Sequence, residues 1–233
     1  MKIGILLCGD TPEPLQAEFG EYSACLEQQF SLKSSSSVSV WNVYQIHEFP
    51  QDVDACDVYI IGGSPAGVND MDEWLEPLNQ FIYKAFHARK KLFGICFGHQ
   101  IINHALGGEI QKSDKGWGLG IYDVMLFTDL GELKQGEGLS LIAIHQDQVI
   151  KPAPDFEVVA GNVFCPNYIT KYRDQVLTVQ GHPEFTFPFM AALLKERQGK
   201  FSLEEIDRVL AQSVLLHDGE RFNAVAKHFL FGH

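Results

Sequence analysis

The sequence predicts an α/β fold: a three-layer sandwich whose central sheet is mixed but mostly parallel, with helices on both faces. Three features predict it. Short, unbroken apolar runs such as Ile3 to Leu7 suit parallel strands covered on both sides. In the first half these runs alternate with segments carrying apolar residues at three- and four-residue spacing, the mark of one helix face. Between Ile110 and Gln180 the pattern changes to short strand-like runs separated by Gly, Pro, Asn and Asp, which predicts antiparallel strands added to the same sheet.

In chain order, Ile3 to Leu7 is the first strand. It is not a secretory signal, because the apolar run stops at Gly9-Asp10, carries only Lys2 as positive charge and lacks a small-residue cleavage site. Leu15, Phe19, Tyr22, Leu26 and Phe30 predict a helix, and Ser34 to Ser37 a surface loop. Val38 to Val43 alternates as a second strand. Asp57 to Ile61 is a third, running into Gly62-Gly63-Ser64-Pro65. Trp74, Leu75, Leu78, Phe81, Ile82, Ala85 and Phe86 mark a second helix. Leu92 to Ile95 is a fourth strand, followed by Cys96 and a helix from Gly98 to Leu106. The middle runs are Ile121 to Phe127, Leu141 to His145, Phe156 to Ala160, Tyr168 to Tyr172 and Val176 to Val179. The tail reads as helical over Pro188 to Glu196. A second tail helix opens at the capping-box pattern Ser202-Leu203-Glu204-Glu205 and runs to Leu216. Without repeats or a long linker, residues 1–233 are expected to form one domain.

Composition excludes several functions. The balance of 18 basic against 30 acidic residues gives a net charge of -12, and no Lys/Arg cluster offsets it, which argues against nucleic acid as partner. The acidity serves solubility, with docking to a basic partner as the alternative reading. No apolar run approaches the ~20 residues needed to span a membrane. The five cysteines are odd in number and contain no C-x-x-C pair, which argues against a disulfide framework or a Cys-based zinc site. Free thiols fit a reducing cytoplasm, the location expected.

The chemistry starts at Leu92-Phe93-Gly94-Ile95-Cys96-Phe97-Gly98-His99-Gln100. A strand delivers a Cys flanked at two residues on each side by Gly, and a helix begins directly after. That is the pattern of a nucleophile elbow, a strained turn that only small flanking residues tolerate. A helix N-terminus behind Cys96 favours thiolate and aims the Phe97 backbone N–H where an oxyanion would form. The alternative is a buried structural Cys at a strand end. A thiol nucleophile needs a base and the base an orienter. Thr178-Val179-Gln180-Gly181-His182-Pro183-Glu184-Phe185 offers both, with His182 at a strand end and Glu184 two residues on, past a stiffening Pro.

Together, Gly62-Gly63-Ser64-Pro65, the Gly-Ile-Cys-Phe-Gly-His-Gln elbow and Val-Gln-Gly-His-Pro-Glu resemble, in that order, the landmarks of class I glutamine amidotransferase domains. That resemblance implies a flavodoxin-like sheet with its site at the carboxyl ends of the strands. It implies Cys96 as nucleophile, His182 as base and Glu184 as orienter. It adds the Gly63 N–H as second oxyanion donor beside Phe97, and Gln100 as a contact to the glutamyl group. His145-Gln146-Asp147-Gln148-Val149 is similar to a loop beside the site in these domains, and His145 is expected to shape the substrate pocket. His145 and Asp147 are spaced as metal ligands can be, but no third ligand is evident.

The reaction implied is cleavage of a γ-glutamyl amide through a thioester, with no cofactor or metal. Its substrate is a small molecule, glutamine or a γ-glutamyl compound. No synthetase domain follows the triad, and Gly181 stands where many synthetase-linked domains carry an aromatic. The chain thus resembles the stand-alone branch, which includes proteins similar to the glutaminase half of GMP synthase and γ-glutamyl peptidases. Three readings follow: a glutaminase serving a separate synthetase partner, a γ-glutamyl peptidase without one, and a non-catalytic glutamyl-sensing protein. Gly181 is expected to leave room for a leaving group larger than ammonia.

Overall fold

The computed structural model describes residues 1–32 and 37–232. Its strands and helices run β1 (Lys2–Leu7), α1 (Glu13–Phe19), α2 (Tyr22–Gln29), β2 (Ser37–Asn42), α3 (Val43–Ile46), β3 (Val58–Ile61), α4 (Leu75–His87), β4 (Lys91–Ile95), α5 (Phe97–Ala105) and β5 (Glu109–Lys112). Then come β6 (Gly118–Leu126), β7 (Gly138–His145), β8 (Asp147–Lys151), β9 (Glu157–Gly161), β10 (Ile169–Tyr172), β11 (Val176–Val179), α6 (Phe187–Glu196), α7 (Leu203–Leu210) and α8 (Gly219–Phe231). Nine strands form one sheet in the order β2-β1-β3-β4-β11-β10-β9-β6-β7. From β2 through β11 each neighbour is parallel, whereas β10, β9, β6 and β7 pair antiparallel in turn.

The central strands show why apolar runs were required. Every residue of β3 and β11 is buried, and β1 is buried beyond Lys2. Alternate β1 residues enter opposite cores. Ile3, Ile5 and Leu7 pack under α2, α6 and α8 with Tyr22, Leu26, Met190 and Phe222, whereas Leu6 packs on the α4 and α5 side with Leu78, Ile82 and Ile101. Covering both faces in this way is what a parallel sheet needs.

Several details depart from the sequence reading. The first predicted helix is two, because Gly20 adopts φ 76° and breaks the run between Phe19 and Tyr22. Val176 to Val179 joins β4 in parallel and only β10 antiparallel, so it belongs to both halves of the sheet. β5 and β8 form a separate two-stranded sheet that the sequence did not suggest. The Ser202 capping box is present, but α7 stops at Leu210 and gives way to a 3-10 turn at Ala211–Val214; α8 then closes the chain. Of the serine run, Ser34 to Ser36 lie outside the described residues and Ser37 opens β2. Among the described residues no helix is long and apolar enough to cross a membrane.

Candidate active site

The carboxyl ends of β1, β3, β4 and β11 open on one cleft, and Cys96 stands on its floor. Cys96 is the N-cap of α5 with φ 54° and ψ -103°, a conformation L residues avoid. The turn closes only because Gly98 comes so near β3. A Cβ at Gly98 would land on the Ile61 carbonyl oxygen, and the Gly98 N–H already donates to the Gly62 carbonyl at 3.1 Å. The Cys96 N–H is anchored to the Val179 carbonyl across the sheet at 2.8 Å. The strain is thus held by rigid backbone on both sides.

His182 follows β11, its N–H fixed to the Ile142 carbonyl at 2.7 Å. Its Nδ1 lies 2.7 Å from Glu184 Oε1, and both residues are buried. The ring stacks on Phe185 with centroids 4.1 Å apart and planes within 5°. It lines the same cleft as Cys96. Burial alone would lower the imidazole's proton affinity. The Glu184 carboxylate and the Cys96 sulfur outweigh it and push the pKa up to about 10. The other four cysteines have no such setting. Burial raises all of them, Cys25 and Cys165 to about 12, so they stay thiols at neutral pH.

Phe97 opens α5 directly after Cys96 and lines the cleft, and its N–H is one of the first-turn donors that a helix leaves without an intrahelical partner. Gly63 reaches the cleft from the end of β3, and a Cβ there would sit 3.0 Å from His182 Cε1. Its N–H donates to the Tyr22 hydroxyl at 3.1 Å. Gln100 lies in the first turns of α5 and donates to the Asp147 carbonyl at 2.7 Å. His145 forms part of the cleft wall, its ring edge-on to Phe164 and Tyr168. Burial drives its pKa to about 3, so it stands there neutral.

Two residues of the site escaped the sequence reading. Tyr22, on α2, donates its hydroxyl to Glu184 Oε1 at 2.7 Å, the same oxygen that engages His182. Because that hydroxyl also receives the Gly63 N–H, one phenol ties the His182–Glu184 pair to the end of β3. Gln180, just after β11, is fully buried. Its amide nitrogen points at Cys96 Sγ at 3.7 Å and its oxygen accepts from Gln100 at 3.2 Å. One expectation fails. Gly181 faces away from the cleft, and a Cβ there would lie 2.5 Å from the Tyr168 hydroxyl and 3.1 Å from the Ile142 carbonyl. Tyr168 fills the space expected to admit a leaving group, so Gly181 is a packing glycine.

The class I glutamine amidotransferase family model matches residues 19–195, most of the chain, with Cys96, His182 and Glu184 inside it. The chain belongs to that family. Among curated relatives it is 30% identical over 205 residues to γ-glutamyl peptidase 2 of Arabidopsis thaliana, covering 82% of each chain. It is 27% identical over 221 residues to a glutamine amidotransferase-like protein of Penicillium rubens, covering 90% of this chain and 89% of the relative. The fold matches that of a crystal structure of a glutamine amidotransferase from Thermotoga maritima with a TM-score of 0.77, at 16% identity over 99% of this chain and 96% of that one.

Proposed function

We propose that this protein hydrolyses γ-glutamyl peptides or γ-glutamyl amines through a thioester on Cys96. The observation that carries the reading is Cys96 held at φ 54° in one cleft with the buried His182–Glu184 pair. With Nδ1 engaged by Glu184, Nε2 is left for the sulfur and for the leaving nitrogen. The raised proton affinity of His182 suits it to take the Cys96 proton as the sulfur attacks and to pass a proton on to the leaving nitrogen.

Thiolate attack on the γ-carbonyl carbon forms the C–S bond and moves the carbonyl electron pair onto oxygen. The Phe97 N–H receives that oxyanion, joined by the Gly63 N–H once it exchanges Tyr22 for the substrate. Collapse breaks the C–N bond as Nε2 gives its proton to the departing nitrogen. Water then attacks the thioester, losing a proton to His182, and glutamate leaves as the thiol is restored. Gln100 stands on the glutamyl side, and His145 shapes the wall behind it.

The leaving group must emerge beside His182. There the cleft is walled by Pro12, Phe185, Phe189 and Leu193, an apolar surface that ammonia has no use for and an amine or peptide does. The likeness to a γ-glutamyl peptidase supports the same choice. The test is to incubate the pure protein with glutamine and a panel of γ-glutamyl peptides and amines and measure released product. At least one panel member is expected to turn over, with weak or no activity on glutamine. A glutamine-like diazo-ketone should label Cys96 alone, and Cys96→Ala should remove both turnover and label. A silent panel, with glutamine hydrolysis appearing only when a second protein is added, would instead assign the partner-dependent amidotransferase role.

A further inference from the structure

The cleft has a second lobe that Cys96 lines and His182 does not, and the charges there are of both signs. Arg197, at the carboxyl end of α6, lines both lobes beside Cys96, and Lys112 and Lys200 join it in the second. Asp70, Asp147 and Gln100 line the same lobe. In a chain of net charge -12, three cations gathered at one lobe of a catalytic cleft are out of keeping with the rest of the surface.

Arg197 is half-buried, and among the described residues its guanidinium forms no ion pair and no side-chain hydrogen bond. Drawing a guanidinium out of water without a carboxylate is costly, and its forked donors match a carboxylate in two parallel hydrogen bonds. Burial indeed weakens its hold on its proton, while the Cys96 sulfur opposes that. On the acidic side, Asp147 Oδ1 is buried with no hydrogen-bond partner among the described residues, and Oδ2 lies where a Cβ on Gly67 would come within 2.7 Å. Asp147 senses Lys112, Asp70 and Lys200, and Lys200 senses Arg197, so the five side chains form one charge group.

A γ-glutamyl group presents one carboxylate and one ammonium on the same carbon, a short alkyl chain from the carbonyl that Cys96 attacks. We propose that Arg197 anchors the α-carboxylate of the substrate and that Asp147, with Asp70 beside it, receives the α-ammonium. The assignment rests on the γ-glutamyl reading above and gives it a specificity device: the second lobe reads the glutamyl end while the apolar lobe takes the amine. Both charges of the amino acid must be present for a substrate to seat well.

Three p-nitroanilides separate the contributions: γ-glutamyl, 4-aminobutyryl (no α-carboxylate) and glutaryl (no α-ammonium). The wild type should prefer γ-glutamyl over 4-aminobutyryl by roughly 100-fold in kcat/KM, the scale of a paired charged hydrogen bond. Arg197→Met should reduce that preference to a few-fold, chiefly through KM. Its γ-glutamyl to glutaryl ratio should stay within about twofold, because both compounds keep the carboxylate. Arg197→Lys should recover part of the preference, which a misfolded variant would not. Asp147→Asn should collapse the glutaryl ratio instead. Retention of the wild-type 4-aminobutyryl discrimination in Arg197→Met overturns the proposal. So does a variant that loses discrimination between a γ-glutamyl dipeptide and its C-terminal amide, since Arg197 would then hold the leaving peptide. If the wild type neither cleaves γ-glutamyl-p-nitroanilide nor takes the diazo-ketone label on Cys96, the γ-glutamyl reading itself falls, and this one with it.

Discussion

Cys96 and His182 reach the same cleft from adjacent strands, but they are held there in different ways. On the β4 side the placement is a matter of backbone. Cys96 is fixed by a left-handed turn, a glycine pressed on the β3 carbonyls and an amide bonded to β11. On the β11 side the placement is a matter of side chains. His182 is aimed by Glu184, Glu184 is held by Tyr22, and the ring is backed by Phe185. A backbone device tolerates almost no change and tunes nothing. A chain of side-chain hydrogen bonds can be trimmed one member at a time, and each member adjusts the proton affinity of the next.

The largest effect that tests this difference is expected at Glu184. Glu184→Gln keeps the shape and removes the charge, and loss of an orienting carboxylate of this kind costs about 10⁴-fold in kcat. A measurable remnant should persist, since the imidazole remains. The pH profile carries the sign. In the wild type His182 is raised to about 10, so activity should fall as pH rises through that value and the imidazolium is lost. Without the carboxylate the burial that lowers His182 is less opposed, and the alkaline limb should move to lower pH. Stability follows the same linkage. The raised pKa stabilises the folded chain fully below the ordinary 6.5, and that contribution disappears as pH rises through about 10. The thermal-melting gap between wild type and Glu184→Gln should therefore narrow toward pH 10. An alkaline limb that stays in place would mean that Glu184 does not set the proton affinity of His182.

The backbone wall is probed by Gly98→Ala. One methyl placed on the Ile61 carbonyl forces either the elbow or β3 to shift. Displacement of a nucleophile by about 1 Å costs roughly 10²-fold in rate, and overpacking of this kind costs about 1–3 kcal/mol of stability. Both losses should appear together, in turnover and in a denaturant midpoint, with the pH profile unmoved. Full activity in this variant would show that the turn is slack.

What was legible in the sequence follows from the same contrast. The elbow is written in a few adjacent residues, because a strained turn demands glycines at fixed offsets, and His182 and Glu184 are two positions apart. Tyr22 stands 162 residues from Glu184 and Arg197 carries no motif, so neither contact has a local signature. Gly181 misled for the opposite reason. A glycine beside a candidate catalytic residue looks like room for substrate, and it is Tyr168, in contact only through the fold, that shows the room is taken. Of the fold, the buried strands were readable because both faces are apolar. β5 was not, with Ile110 its only buried residue. The α8 signal was present in Phe222, Val225, Ala226 and Leu230 but lies behind the irregular stretch that ends at Asp218.

The smallest effect is expected where the two walls meet. Tyr22 donates to Glu184 Oε1 and accepts from the Gly63 N–H, while Glu184 Oε2 is buried without a partner among the described residues. Tyr22→Phe keeps the ring against Phe185 and deletes only the hydroxyl. Glu184 Oε1 then keeps only its contact with His182, and a carboxylate oxygen that has lost one donor interacts more strongly with the cation that remains. It should pull harder on the imidazolium, so the alkaline limb should move up, opposite to the shift in Glu184→Gln. A hydrogen bond to a charged group is worth about 1.5–3 kcal/mol, so kcat should fall on the order of tenfold or somewhat more. The Gly63 N–H is released at the same time and becomes free for the oxyanion, which offsets part of that loss and keeps this effect the smallest of the three. If Tyr22→Phe instead shifts the limb downward, as Glu184→Gln should, the phenol acts by holding Glu184 in place rather than by tuning its charge. The β11 wall would then be as much a matter of rigid placement as the β4 wall is.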